Sequence, residues 1–346
     1  MKTFNLQSVL EEKISEVYLH GYLIGYDLGK YRLDAFADCL LDGIVDFAFG
    51  YNTGILDTYD RRKLKEAAQS LYKIKGYEEA KCIYLDNDGE LPAGASDEVK
   101  KIFADYEAAT VKKGEFGELL LHVILRDYFN TVPLLSKIYF KDTDGFAVHG
   151  FDAVHIGPDI NDNSKDSLYL GESKIYATGE GGVKALVGDI KDHYVRDFLD
   201  REFVLVSKKK DAYTPIATYV DKNTKDEYSE YLSRKDKWMD ELKAVGEHQH
   251  KLQDLLGSVT IPLICTYESE LFKKYANDGE GSFAQDYEAE VRSLKAAFDE
   301  DIKKIPNVAG EPEPTTLNMV LLLLPIPSKE ELIKILHKKA WYQQNA

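Results

Sequence analysis

Six uninterrupted apolar residues, Met319 to Leu324, are followed at once by Pro325. A membrane span needs about 20 such residues, so a run this short reads as a buried strand. A second stretch, Gly117 to Phe129 (GELLLHVILRDYF), is apolar nearly all round. That pattern predicts a helix packed on more than one side. A chain that must bury both elements is expected to build an α/β core. At 346 residues it is long enough for about two modules or one enlarged α/β domain, and it needs no disulfide staples.

Periodicity and turn signals divide the rest. Val17 to Leu28 alternates like a strand, while Leu33 to Phe49 and Arg61 to Ile74 carry helical spacing. Asp86 to Ser96 (DNDGELPAGAS) is a loop, and Asp97 to Asn130 reads as a long helix broken near Gly114 and Gly117. A strand-rich stretch from Ile138 to Tyr176 precedes a helix over Val183 to Leu199 and a short strand, Phe203 to Val206. Helices over Lys225 to Leu256 and Ala284 to Lys304 flank a strand at Val259 to Tyr267. The loop Gly310 to Thr316, the strand Leu317 to Leu324 and a short amphipathic helix end the chain. Residues 1–110 are expected to form an N-terminal α/β region for partner binding or active-site cover. Residues 111–346 are expected to form the main domain.

The chemistry lies in three strings: GEFGELLLHVIL (Gly114 to Leu125), HGFDAVHI (His149 to Ile156) and LYLGESKIY (Leu168 to Tyr176). The last two flank GPDINDNSKD (Gly157 to Asp166), which predicts a hairpin-like strand pair. Because strand side chains alternate, Leu168, Leu170, Glu172 and Lys174 share a face, as do Asp152, Val154 and Ile156 on the partner strand. Two apolar stripes therefore end in charge. Burying acids this way is costly without compensation, and a hard divalent cation such as Mg²⁺ compensates carboxylate oxygens. Lys174 beside them could orient an attacking water. Taken singly, an acid or a Glu-x-Lys pair on a hairpin is more often a solvated ion pair. The order of the three strings favours the catalytic reading.

This arrangement resembles the PD-(D/E)xK nuclease superfamily, whose restriction-endonuclease-like α/β core joins a helix acid, a strand Asp and a strand Glu-x-Lys. The resemblance assigns Asp152 as the strand acid, Glu172 and Lys174 as Glu-x-Lys, and Glu118 as the helix acid, with Glu115 one turn earlier as the alternative. It implies Asp152, Glu172 and Glu118 as ligands of Mg²⁺, with Mn²⁺ able to substitute. It also implies an N-terminal α/β extension and helical additions around that core. The three strings together are also similar to the HamA family of the Hachiman anti-phage system. That similarity implies a DNA nuclease effector held by a HamB-like helicase, degrading DNA to abort infection. The QxxxY element of related nucleases is absent. Asp189, His193 and Tyr194 stand near its place. Two rival readings are a non-catalytic clamp or helicase adaptor on the same fold, and an RNA-cleaving toxin.

Charge sets a limit on DNA binding. The chain has 44 basic and 60 acidic residues, a formal net charge of −16, which disfavours tight unaided binding to phosphates. The candidate DNA contacts are Lys184, Lys191 and Arg196 on the helix after Glu-x-Lys, and Lys208, Lys209 and Lys210 beyond the next strand. His122 reads as a core histidine one turn beyond Glu118, and GEGGVK (Gly179 to Lys184) lacks P-loop spacing. Three scattered cysteines and an acidic N-terminal segment fit a reducing cytoplasm.

Overall fold

The computed structural model describes residues 6–51, 61–71, 91–110, 114–137, 150–194, 196–207, 225–305 and 317–345. The described residues start with a 3₁₀ turn and an antiparallel pair, β1 (Leu10–Glu16) and β2 (Leu19–Ile24), then a small ribbon of β3 (Tyr26–Asp27) and β4 (Lys30–Tyr31). Helices α1 (Leu33–Asp42), α2 (Ile44–Phe49), α3 (Arg61–Leu71), α4 (Asp97–Thr110) and α5 (Glu115–Tyr128) follow. Strands β5 (Val132–Pro133), β6 (Ala153–Pro158) and β7 (Asp166–Tyr176) lead to α6 (Gly179–His193), α7 (Arg196–Ser207), α8 (Lys225–Gly246) and α9 (Leu252–Leu256). Then come β8 (Val259–Glu268), α10 (Leu271–Lys274), α11 (Phe283–Ile302), β9 (Asn318–Ile326) and α12 (Lys329–Asn345).

Among the described residues, seven strands form one sheet in the order β1-β2-β9-β8-β7-β6-β5. The neighbours β2-β9, β9-β8 and β8-β7 pair in parallel, and the margins are antiparallel. The N-terminal region therefore shares its sheet with the rest of the chain. Alternation explains the two layers of helix. Ile261, Leu263, Cys265, Leu321 and Leu323 face a core with Val183, Leu186 and Ile190 of α6 and Val291 and Leu294 of α11. Ile264, Val320, Leu322 and Leu324 face the opposite core, with α5, α1 and α12. Strands buried on both faces are what a parallel sheet centre requires.

Several sequence expectations change: the helices expected over Leu33 to Phe49 and Lys225 to Leu256 each divide in two, as α1 and α2 and as α8 and α9. Phe203 to Val206 lies within α7 instead of forming a strand. Leu199, Phe203 and Val206, all buried, recur at i, i+4 and i+7, so helical period overrides the short apolar run. The helix expected over Val183 to Leu199 is divided between α6 and α7, and the strand expected from Val17 begins at Leu19 because Val17 and Tyr18 form the hairpin turn. Residues 138–149 and the Gly310 to Thr316 loop lie outside the described residues. No described helix is long and apolar enough to cross a membrane.

A buried ion-pair set ties the N-terminal layer to the sheet. Arg126 of α5 donates from Nε to Asp127 Oδ1 at 2.8 Å and from Nη1 to Asp46 Oδ2 of α2 at 3.1 Å. All three residues are buried. Removing the guanidinium would strand two carboxylates away from water. Arg126→Met should therefore cost about 3–5 kcal/mol of unfolding free energy, measurable by urea denaturation; a change below about 1 kcal/mol would refute the anchoring role.

Candidate active site

The register of β6 against β7 pairs Ala153 with Gly171, and the Asp152 amide continues it by donating to the Gly171 carbonyl at 2.9 Å. Asp152 is thereby brought beside Glu172. Its Oδ2 accepts from both the backbone N–H and the hydroxyl of Ser173, each at 2.8 Å. These two donors fix the carboxylate against the strand. Glu172 is only 3% exposed. Its Oε1 accepts from His193 Nδ1 at 2.8 Å. Lys174, two residues along the same face, forms an ion pair with Asp189. Asp189 and His193 both belong to α6, one turn apart.

Structure thus brings Asp152, Glu172 and Lys174 together and adds two residues that the sequence had left without a role. One signal for His193 was available. Leu186, Ile190 and His193 fall at i, i+4 and i+7, so a polar side chain occupies the next place along a buried stripe. Such a polar substitution in an apolar series marks a partner beneath it.

Glu118 lies in the first turn of α5, on the opposite side of the sheet from α6. It forms an ion pair with Lys137, a residue sequence reasoning had missed because it lies beyond Pro133 in no recognisable element. Lys137 lines a narrow pocket with Asp152, His122 and His155, so the helix acid and the strand acid open onto neighbouring space. Glycine at 117 permits the approach of α5: a Cβ there would meet Ser173 Oγ at 3.0 Å and Ile175 Cγ1 at 3.3 Å. Among the described residues, no group of three or more His, Cys, Asp or Glu side chains is clustered to hold a metal ion. Asp152 lies near enough for its charge to raise the Glu172 pKa.

His122 is a core histidine. Its Nδ1 lies 3.0 Å from His155 Nε2, and His155 Nδ1 lies 2.8 Å from Thr131 Oγ1. Burial pushes both imidazoles below their usual range, His155 to about 3, so the chain is neutral and pins α5 to β6. Lys184 and Lys191 are exposed on α6. Arg196 opens α7, and Lys208, Lys209 and Lys210 lie outside the described residues. A larger cavity of about 440 Å³ opens at the other end of β6, around Tyr128, Pro158 and Tyr169, and includes none of the candidate catalytic residues.

Electrostatics set the site apart from an ordinary surface cluster. Burial pushes the Glu172 carboxyl up to about 8, the His193 bond opposes that rise, and the nearby Asp152 charge adds to it. The hydrogen bond to Glu172 raises the His193 pKa. Burial works against the Lys174 ammonium, but the Asp189 bond outweighs it and the pKa rises. A strongly perturbed carboxyl with a specific charge partner is a mark of functional sites.

All three raised groups make folding less favourable as pH climbs. Glu172 contributes fully below its ordinary value of 4.5, and that contribution is lost as pH rises towards its folded value of about 8. Glu172→Gln removes the ionisation. In chelator, its stability relative to wild type should improve from about pH 5 to about pH 9 by on the order of 1–4 kcal/mol. Thermal melts at both pH values check this, and a difference independent of pH would refute it.

A model of the HamA family matches residues 2–340, which takes in GEFGELLLH, HGFDAVHI and GESKIY together with both flanks of the sheet. No curated protein matches the chain. With the match running from the N-terminal hairpin through most of α12, the chain belongs to the HamA family and so to Hachiman anti-phage defence.

Proposed function

We propose that this chain is a metal-dependent DNA nuclease of PD-(D/E)xK type, the effector of its defence system, controlled by a helicase partner. The observation that carries the reading is the buried Glu172 carboxylate beside Asp152, two residues from Lys174 on the same strand face. Two carboxylates held together in a low-dielectric place repel, and a divalent cation relieves that repulsion. Mg²⁺ takes one or two protein carboxylates and fills its remaining positions with water and substrate phosphate oxygens. The donor set of Asp152 and Glu172 fits that demand, with Glu118 as an outer carboxylate. When bound, the ion would polarise the phosphodiester and acidify the attacking water.

The chain's own residues do the rest. Ser173 holds Asp152 through two donors, so one oxygen is fixed and the carboxylate does not rotate. Lys174 is kept protonated by Asp189 and donates to the attacking water or to charge developing on the phosphate. Preorganised donors of this kind need no rearrangement as the reaction proceeds. Glu118, neutralised by Lys137, contributes its carboxylate when that ion pair opens. The net charge of −16 fits a nuclease to which DNA is delivered. Unaided, such a chain holds duplex only weakly.

Two measurements test this reading. With Mg²⁺ and the activated partner, Glu172→Ala and Lys174→Ala should each lower the DNA cleavage rate by about 10²–10⁴-fold; equal rates in wild type and both variants would end the assignment. The isolated chain should bind duplex DNA with Kd of roughly 10⁻⁴ to 10⁻⁶ M at physiological salt. Nanomolar binding by the chain alone would contradict delivery by a partner.

A further inference from the structure

We infer that Asp189 and His193 of α6 are positioning residues that set the two working groups of the Glu-x-Lys strand. This rests on the nuclease reading above and extends it to residues outside the three motif strings. The two contacts divide the labour. His193 Nδ1 holds Glu172 Oε1 at 2.8 Å, while Asp189 takes the Lys174 ammonium. The side chains of Glu172, Lys174, Asp189 and His193 are 4%, 24%, 21% and 25% exposed, so each pair straddles the boundary between core and solvent. Their depth matters. An exposed ion pair is weak and interchangeable, whereas a bond to a carboxylate this deeply buried governs its orientation.

Helix geometry makes the two contacts one device. Residues four apart stack on a single face, and the strand residues they meet are two apart on one strand face. One helix turn therefore spans Glu172 and Lys174 together. The helix is seated independently of these contacts. Thr178 caps its N-terminus, Val183, Leu186 and Ile190 enter the core, and Tyr194 Oη donates to the Leu170 carbonyl at 2.8 Å. Asp189 and His193 are thus not required to fasten α6. Their chemistry is spent on Lys174 and Glu172. His193 restricts rotation of a carboxylate that must meet a cation, and Asp189 restrains a four-carbon lysine stem that otherwise samples many rotamers.

The experiment uses the full chain with its partner, with Mg²⁺ as the titrant in both calorimetry and cleavage. His193→Ala should weaken Mg²⁺ binding by about 10–100-fold and raise the Mg²⁺ needed for half-maximal cleavage by the same factor. His193→Asn, whose amide N–H takes the place of Nδ1–H, should restore most of the affinity. Asp189→Ala should lower kcat at saturating Mg²⁺ by about 10–100-fold while leaving Mg²⁺ affinity within about threefold of wild type. Tyr194→Phe, which loosens the seat of α6 without touching either pair, should change neither quantity by more than about threefold. Wild-type affinity and kcat in both alanine variants would overturn the inference and leave the nuclease reading standing. So would losses in Tyr194→Phe equal to theirs, because seating of the helix would then explain everything. A wild type that neither binds Mg²⁺ nor cleaves DNA would overturn both.

Discussion

Leu321 to Leu324 in β9 have no polar face to turn towards water, and neither does most of β8. A sheet centred on such strands is stable only when covered on both sides. From that constraint come the two cores and the parallel pairing in the middle. Glu172 is the exception that defines the site. It follows Leu168 and Leu170 on a strand face that ends in Lys174, and its neighbours compensate for it.

Much of this was legible because β structure writes itself with period two. The strand face shared by Leu168, Leu170, Glu172 and Lys174 follows from alternation alone, as does the face of Val154 and Ile156. Asp152, by contrast, lies one residue before β6, and its carboxylate meets Ser173, whose side chain faces α5. The hairpin that brings Asp152 near Glu172 follows from the Gly-, Pro- and Asn-rich loop between the two strands. Failures came where local pattern is ambiguous. A four-residue apolar run at Phe203 reads as strand until Leu199 is counted with it, which reveals a helical stripe. Lys137 and Asp189 were not legible, since an ion pair between residues far apart in the chain leaves no trace in either neighbourhood. His193 stood between these cases. Its place in a buried stripe was visible, and its partner was not.

The charge of the molecule and the chemistry of the site point the same way once each carboxylate is followed to its partner. Glu118 meets Lys137, Glu172 meets His193, Asp152 meets the donors of Ser173, and Lys174 meets Asp189. Each candidate catalytic group already has a protein partner. Protein groups thus offset part of the repulsion that concentrating acids would create, at a level that burial of a single unpaired carboxylate could not tolerate. This local neutralisation is compatible with an acidic exterior, because it operates within a few residues rather than over the whole surface.

Helix α5 has two attachments of different kinds. Near its start, Gly117 lies against Ser173, which holds Asp152. Near its end, Arg126 is locked to Asp46 in the N-terminal layer. The two points are nine residues apart, about 13 Å of regular helix, and a helix packed on several sides moves as a rod rather than bending. A load applied to the N-terminal layer is therefore delivered, through a stiff strut, to the residue that orients the strand aspartate. The surroundings of Asp152 are thus mechanically continuous with the N-terminal layer.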